Sequence, residues 1–170
     1  TDGAIRMIVL LHFFHLGFSP LSLALLFLLY ELVGVITNLV GGWVTSFYGI
    51  KRMLSLGVLL QIFGLCLLSF YTSSWGLYSS IIWIMIAQGI SGIAKDISKT
   101  SSKSAVKIVS GDGNGLLFKW VSWFTGLKNI SKGLGFFFGS LLIEIIGFHY
   151  SLYTLILLLS VSYTHLRAHE

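Results

Sequence analysis

The chain has 170 residues, of which 55% are hydrophobic and only 10% are charged, and its mean hydropathy is +0.89. A water-soluble domain carries roughly a quarter charged residues, so this composition excludes an ordinary soluble protein and predicts an all-α integral membrane protein. The net charge of +5 lies in gaps between apolar runs, which favours a lipid bilayer over nucleic acid as the partner. The single cysteine, Cys66, excludes an internal disulfide.

Windows of about twenty apolar residues predict six membrane-spanning helices. In chain order these spans cover residues 1–16, 21–47, 53–71, 77–97, 116–148 and 150–160. We expect the natural protein to extend beyond both ends, because the first span has no preceding segment and the last is cut short. The decapeptide 161–170 resembles a translated adapter of transposase-based sequencing libraries, so we expect a non-native tail and exclude it from functional interpretation.

Basic residues occur in every second gap between the predicted spans. Lys51 and Arg52 follow the second span, the other basic gap follows the fourth span, and the remaining gaps contain no Lys or Arg. By the positive-inside rule, the basic gaps and the N-terminus are expected to be cytoplasmic. The basic gap after the fourth span has a lysine at every fourth position, and we call these residues the lysine stripe: Lys95, Lys99, Lys103 and Lys107. Helical spacing predicts that the stripe extends the fourth span, with only Lys95 near enough to contact a substrate.

Charged residues within the predicted spans indicate a binding site, because a charge in the bilayer core is costly and marks a pathway or a partner. At a rise of ~1.5 Å per residue, Arg6 and Glu31 are both expected near the middle of the membrane, where they can meet. Asp2 lies one helical turn from Arg6 on the same face.

Lys128 and Lys132 repeat the four-residue spacing in the fifth span. Together with Arg6 they are predicted to line the inner half of one cavity that binds a small anion, since Arg and Lys both suit phosphate, arsenate or carboxylate groups. Asn38 and Asn129 are further candidates for substrate binding. The alternative is that Asp2 or Glu31 neutralises Arg6 and that Lys128 extends to the membrane interface.

The segment 42–52 resembles the loop motif between the second and third spans of the major facilitator superfamily. Its glycines and basic residues match, whereas Ser46 occupies the acidic position, and the alternative is a plain basic cytoplasmic loop. Glycines allow close helix approach and sharp turns, while the cations favour helix C-termini. We predict six gating residues in this loop and at the end of the fourth span: Gly42, Gly49, Lys51, Arg52, Lys95 and Asp96.

Two further glycine-rich segments resemble motifs of the same superfamily. In the segment 88–92, Gln88 and Gly89 match, but Met85 replaces the arginine that is associated with proton coupling. In the fifth span, Gly135 and Gly139 are similar to a glycine-rich antiporter motif without its proline. Close helix packing by small residues explains both segments equally well.

The segments 1–7, 12–20, 30–31, 37–43, 88–107, 117–120 and 128–139 together resemble the organoarsenical-efflux permeases (ArsJ type) of this superfamily. The resemblance implies the N-terminal six-helix half of a major facilitator fold, truncated at both ends and lacking its C-terminal half. It further implies export of 1-arseno-3-phosphoglycerate across a bacterial inner membrane by alternating access, which confers arsenate resistance. The functional link would be to a glyceraldehyde-3-phosphate dehydrogenase, which forms that ester.

Two other functions stay open. An exporter of another organophosphate or of a drug-like substrate has the same general features. A membrane enzyme or assembly subunit is disfavoured, because the spans show no paired histidines or catalytic carboxylates. We therefore expect no catalytic residues, no metal site and no cofactor.

Overall fold

The computed structural model describes residues 2–72, 74–110 and 116–168, with only the backbone described at 109, 110, 116 and 117. These residues form five helices: α1 (Asp2–His15), α2 (Pro20–Tyr48), α3 (Ile50–Ser69), α4 (Leu77–Ser110) and α5 (Leu116–Ala168). The described part of the chain contains no strand, so the predicted all-α class is confirmed.

The predicted count of six separate helices is wrong, because α5 contains both the fifth and the sixth predicted spans. Gly147 interrupts α5 with a non-helical backbone, φ 76° and ψ 179°, and divides it into a first arm (116–146) and a second arm (148–168). Phe138 and Leu158 line one cavity, although a straight helix would separate them by about 30 Å. The chain therefore turns back at Gly147, where one glycine replaces a connecting loop.

Several helix ends also differ from the predicted boundaries. α2 begins at Pro20, where Ser19 caps the helix by accepting a hydrogen bond from the Ser22 amide at 3.2 Å. α3 begins at Ile50 rather than at 53, because Gly49, with φ 82°, completes the whole turn after α2. α4 continues to Ser110, so the lysine stripe is helical throughout, and α5 continues through 161–168.

The apolar core is formed by α1, α2, α3, α4 and the second arm, with Ile8, Val9 and Phe13 of α1 completely buried. Small residues allow the helices to approach closely. A Cβ atom at Gly139 would lie 2.6 Å from Ala4 Cα, and one at Gly92 would lie 2.6 Å from the Tyr30 carbonyl oxygen. These contacts hold α1 against the first arm of α5 and α2 against α4.

An aromatic cluster joins the ends of four chain segments. The Phe13 ring centroid lies 4.9 Å from that of Tyr71, 5.2 Å from that of Phe18 and 6.0 Å from that of Phe148. These residues belong to α1, to the α1–α2 turn, to the residues after α3 and to the second arm. The three connections that contain no Lys or Arg therefore meet at one end of the molecule.

Among the residues that the structure describes, four helical segments are long and apolar enough to cross a membrane: Pro20–Tyr48, Ile50–Ser69, Leu77–Ile108 and Phe118–Ala168. Large apolar side chains also face outward on these segments, with Leu39 and Phe118 both 78% exposed. An apolar exterior is what lipid contact requires. The chain is accordingly a multi-pass membrane protein.

Candidate functional site

A cavity of about 380 Å³ lies between α1, α4 and the first arm of α5. This volume falls in the usual range of small-molecule sites, roughly 300–1,000 Å³. Its walls contain five cations, one carboxylate and three serines among the following residues: Asp2, Gly3, Arg6, Lys95, Ser98, Lys99, Ser102, Phe124, Lys128, Ser131 and Lys132. The structure thus brings together Asp2, Arg6, Lys128 and Lys132, as the spacing along α1 and the fifth span predicts.

Arg6 is the centre of a network of charges on the α1 wall. Its Nη2 atom donates a hydrogen bond to Oε1 of Glu31, on α2. Its Nε atom lies 3.8 Å from Asp2 Oδ1, and its guanidinium carbon lies 4.5 Å from the Tyr30 ring centroid. The Tyr30 hydroxyl donates to Asp2, which fixes that carboxylate in place. Arg6 is therefore flanked by two carboxylates, one on its own helix and one on α2.

Asp96 anchors the cations on the α4 wall. It is 1% exposed, and its oxygens lie 3.7 Å from Lys95 Nζ and 3.4 Å from Lys99 Nζ. Lys95 Nζ also lies 4.1 Å from the Tyr30 ring centroid, a cation–π contact. The sequence predicts that only Lys95 of the stripe is near enough to contact a substrate. In the structure Lys99 also lines the cavity, because a four-residue step turns the helix by only about 40° and leaves Lys99 on the same wall.

Lys128 and Lys132 form the opposite wall, on the first arm of α5, with Ser131 between them. Lys132 Nζ lies 5.7 Å from the Phe136 ring centroid. Within the described ranges, neither lysine lies in ion-pair distance of a carboxylate. Five cations therefore face three contacting carboxylates, Asp2, Glu31 and Asp96, which leaves an excess of two positive charges.

Three predicted substrate-binding residues do not line this cavity. Glu31 reaches it only through Arg6. The Asn38 amide donates to the Gly34 carbonyl at 3.0 Å, and Asn129 is exposed on a different face of the first arm from Lys128. Sequence reasoning missed the cavity serines, although positions 95, 98, 99 and 102 have the spacing of one helix face.

The predicted gating residues of the loop motif do not line the cavity. A Cβ atom at Gly42 would lie 4.0 Å from a methyl group of Thr100 on α4. Gly49 forms the turn between α2 and α3, and Lys51 is exposed directly after it. Arg52 is exposed next to Lys51. Of these residues, Gly42 therefore lies beside the extended end of α4.

Within residues 2–72, 74–110 and 116–168, no group of three or more His, Cys, Asp or Glu side chains is arranged to hold a metal ion. His12, which lies near the end of α1, instead stacks on Phe148 with ring centroids 3.9 Å apart.

Comparison with known proteins identifies one family. The family model described as Major Facilitator Superfamily matches residues 2–166, which is almost the whole chain. No curated protein matches the chain, and no solved structure does.

Proposed function

This chain belongs to the major facilitator superfamily, and we propose that it is part of a secondary transporter that exports an organic anion. Members of this superfamily are transporters rather than enzymes. The observation that supports an anionic substrate is the cavity, which has five cations on its walls. Cations enclosed between membrane-spanning helices are costly unless a partner compensates them.

The arrangement of charges favours a substrate with two anionic groups. Lys95 and Lys99 lie on the α4 wall, whereas Lys128 and Lys132 lie on the first arm of α5. The guanidinium group of Arg6 and the serine hydroxyls can also donate hydrogen bonds, which phosphate and carboxylate oxygens accept. The excess of two positive charges favours a polyanion over a neutral or cationic substrate.

Within this class we propose 1-arseno-3-phosphoglycerate, the substrate implied by the resemblance to organoarsenical-efflux permeases. Its acyl arsenate and its phosphate lie at opposite ends of a three-carbon unit, so each can face one cationic wall. Export of this labile ester from a bacterial cytoplasm would confer arsenate resistance. Another organophosphate would use the same walls and is the alternative that the experiment distinguishes.

Transport is proposed to occur by alternating access between this half and a complementary C-terminal half. The aromatic cluster around Phe13 would close the outer end of this half. The lysine stripe would face the cytoplasm and concentrate anions near the cavity. Arg6, Lys95, Lys99, Lys128 and Lys132 would then release the anion when the two halves rearrange.

The test uses the full-length gene, expressed with its glyceraldehyde-3-phosphate dehydrogenase in arsenate-sensitive bacteria. Wild type is expected to lower cellular arsenic and to restore growth in arsenate. Arg6→Gln and Lys132→Gln are expected to abolish this effect at an unchanged level of protein in the membrane. Lys119→Gln is the matched control, because Lys119 is exposed on the same arm and does not line the cavity.

The outcomes test the identity of the substrate and the role of the cation-lined site independently. Unchanged cellular arsenic with the wild-type transporter would contradict the organoarsenical substrate. Normal export by both Arg6→Gln and Lys132→Gln would contradict the cation-lined site, whichever substrate is carried.

A further inference from the structure

Glu31 and Asp2 both contact Arg6, but they are held very differently. Asp2 also accepts a hydrogen bond from the Tyr30 hydroxyl, so it is fixed from two sides. Glu31 has Arg6 as its one polar partner among the described residues, and its side chain is 58% exposed. Glu31 is thus a carboxylate on a flexible side chain, attached to the one guanidinium in the cavity wall.

An incoming anion needs the same donors that Glu31 occupies. Arg6 lines the cavity, whereas Glu31 approaches it from α2 and is not part of the lining. A guanidinium binds phosphate or carboxylate best when two parallel N–H groups are available. With both neighbouring carboxylates in place, a third anion would meet like charge at close range.

We propose that Glu31 is a tethered competitor for Arg6, which the anionic substrate displaces when it binds. This inference rests on the proposed function and adds how the site is regulated. Displacement exchanges one anion on Arg6 for another, so Arg6 is paired with an anion in both the empty and the loaded site. When Glu31 returns to Arg6, it promotes release of the substrate.

The experiment measures anion binding to the purified full-length transporter in lipid nanodiscs. Isothermal titration calorimetry with 3-phosphoglycerate, a stable phosphate ester, gives the dissociation constant. Glu31→Gln retains the shape of the side chain and removes its charge, so we expect binding that is tighter by about 2- to 5-fold, the effect of a partly exposed ion pair.

The matched control is Glu144→Gln, which makes the same change of charge at an exposed position of α5 outside the cavity. It is expected to bind like wild type. An unchanged or larger dissociation constant for Glu31→Gln would overturn the proposal. Equal tightening by Glu144→Gln would also overturn it, since the effect would then be one of overall charge. If Glu31→Gln does not fold, Glu31→Asp replaces it, with a smaller gain in affinity expected and no gain contradicting the proposal.

Arg6→Gln distinguishes failure of this inference from failure of the proposed function. If wild type binds and Arg6→Gln does not, an unchanged affinity of Glu31→Gln refutes only the tethered competitor. If wild type and Arg6→Gln bind equally well, or if neither wild type nor Glu31→Gln binds, the cationic site itself is refuted.

Discussion

Asp96 of α4 lies so close to Gly34 of α2 that a Cβ atom at position 34 would overlap its carboxylate. The same carboxylate lies 3.7 Å from Lys95 Nζ and 3.4 Å from Lys99 Nζ. A glycine on one helix therefore creates the space for the anion that positions two cavity cations on another. The packing of α2 against α4 and the electrostatics of the site consequently depend on each other.

Gly34→Ala is expected to lower stability and transport together. The added methyl group must displace the buried Asp96 carboxylate, which then loses its lysine contacts, and overpacking of this kind costs about 1–3 kcal/mol. The thermal unfolding midpoint of the full-length protein in detergent measures the change. Gly133→Ala is the control, because a Cβ atom there meets no other heavy atom within 4 Å. Equal midpoints for the two variants would contradict the close contact.

Gly139→Ala is expected to separate α1 from the first arm of α5. Its Cβ atom would lie 2.6 Å from Ala4 Cα and 2.7 Å from the Ala4 carbonyl oxygen, and backbone cannot rotate away as a side chain can. Gly135, one turn earlier, is a matched control, since its Cβ atom would lie 3.4 Å from the nearest atom, the Ala4 amide nitrogen. We expect Gly139→Ala to lower the unfolding midpoint well below that of Gly135→Ala. The reverse order would show that the helices approach elsewhere.

Gln88→Leu is expected to stabilise the protein. Gln88 is 1% exposed, and neither polar atom of its amide has a hydrogen-bond partner among the described residues. A buried polar group without a partner costs about 1–3 kcal/mol, and leucine has a similar volume without that cost. A higher unfolding midpoint in detergent is the expected result. A lower midpoint would mean that the amide is satisfied in the full-length protein.

The orientation in the membrane is testable by cysteine labelling. In a Cys66→Ala background, Ser74→Cys lies at the end with the aromatic cluster and Lys103→Cys lies on the lysine stripe. Because basic segments are retained in the cytoplasm, an impermeant maleimide should label position 74 in intact cells and position 103 only after permeabilisation. The opposite pattern would place the N-terminus outside.

Much of the candidate site is predictable because it lies on regular helices. A four-residue spacing places Asp2 and Arg6 on one face of α1, and the same spacing places Lys128 and Lys132 on one face of α5. The same arithmetic does not give the rotation of a helix relative to its neighbours. Lys99 therefore joins the cavity unexpectedly, whereas Asn38 bonds to the backbone of its own helix.

By itself, the sequence determined that this is an all-helical membrane protein in which basic residues occupy every second gap between the spans. Hydropathy, helical period and charge are local properties, so a few neighbouring residues are enough to establish them. Only the tertiary structure decided that Glu31 is the partner of Arg6, 25 positions away, and that α5 reverses at Gly147 without a loop. Contacts between distant segments depend on which helix faces pack together. Close approach at glycines such as Gly34 and Gly139 determines those faces.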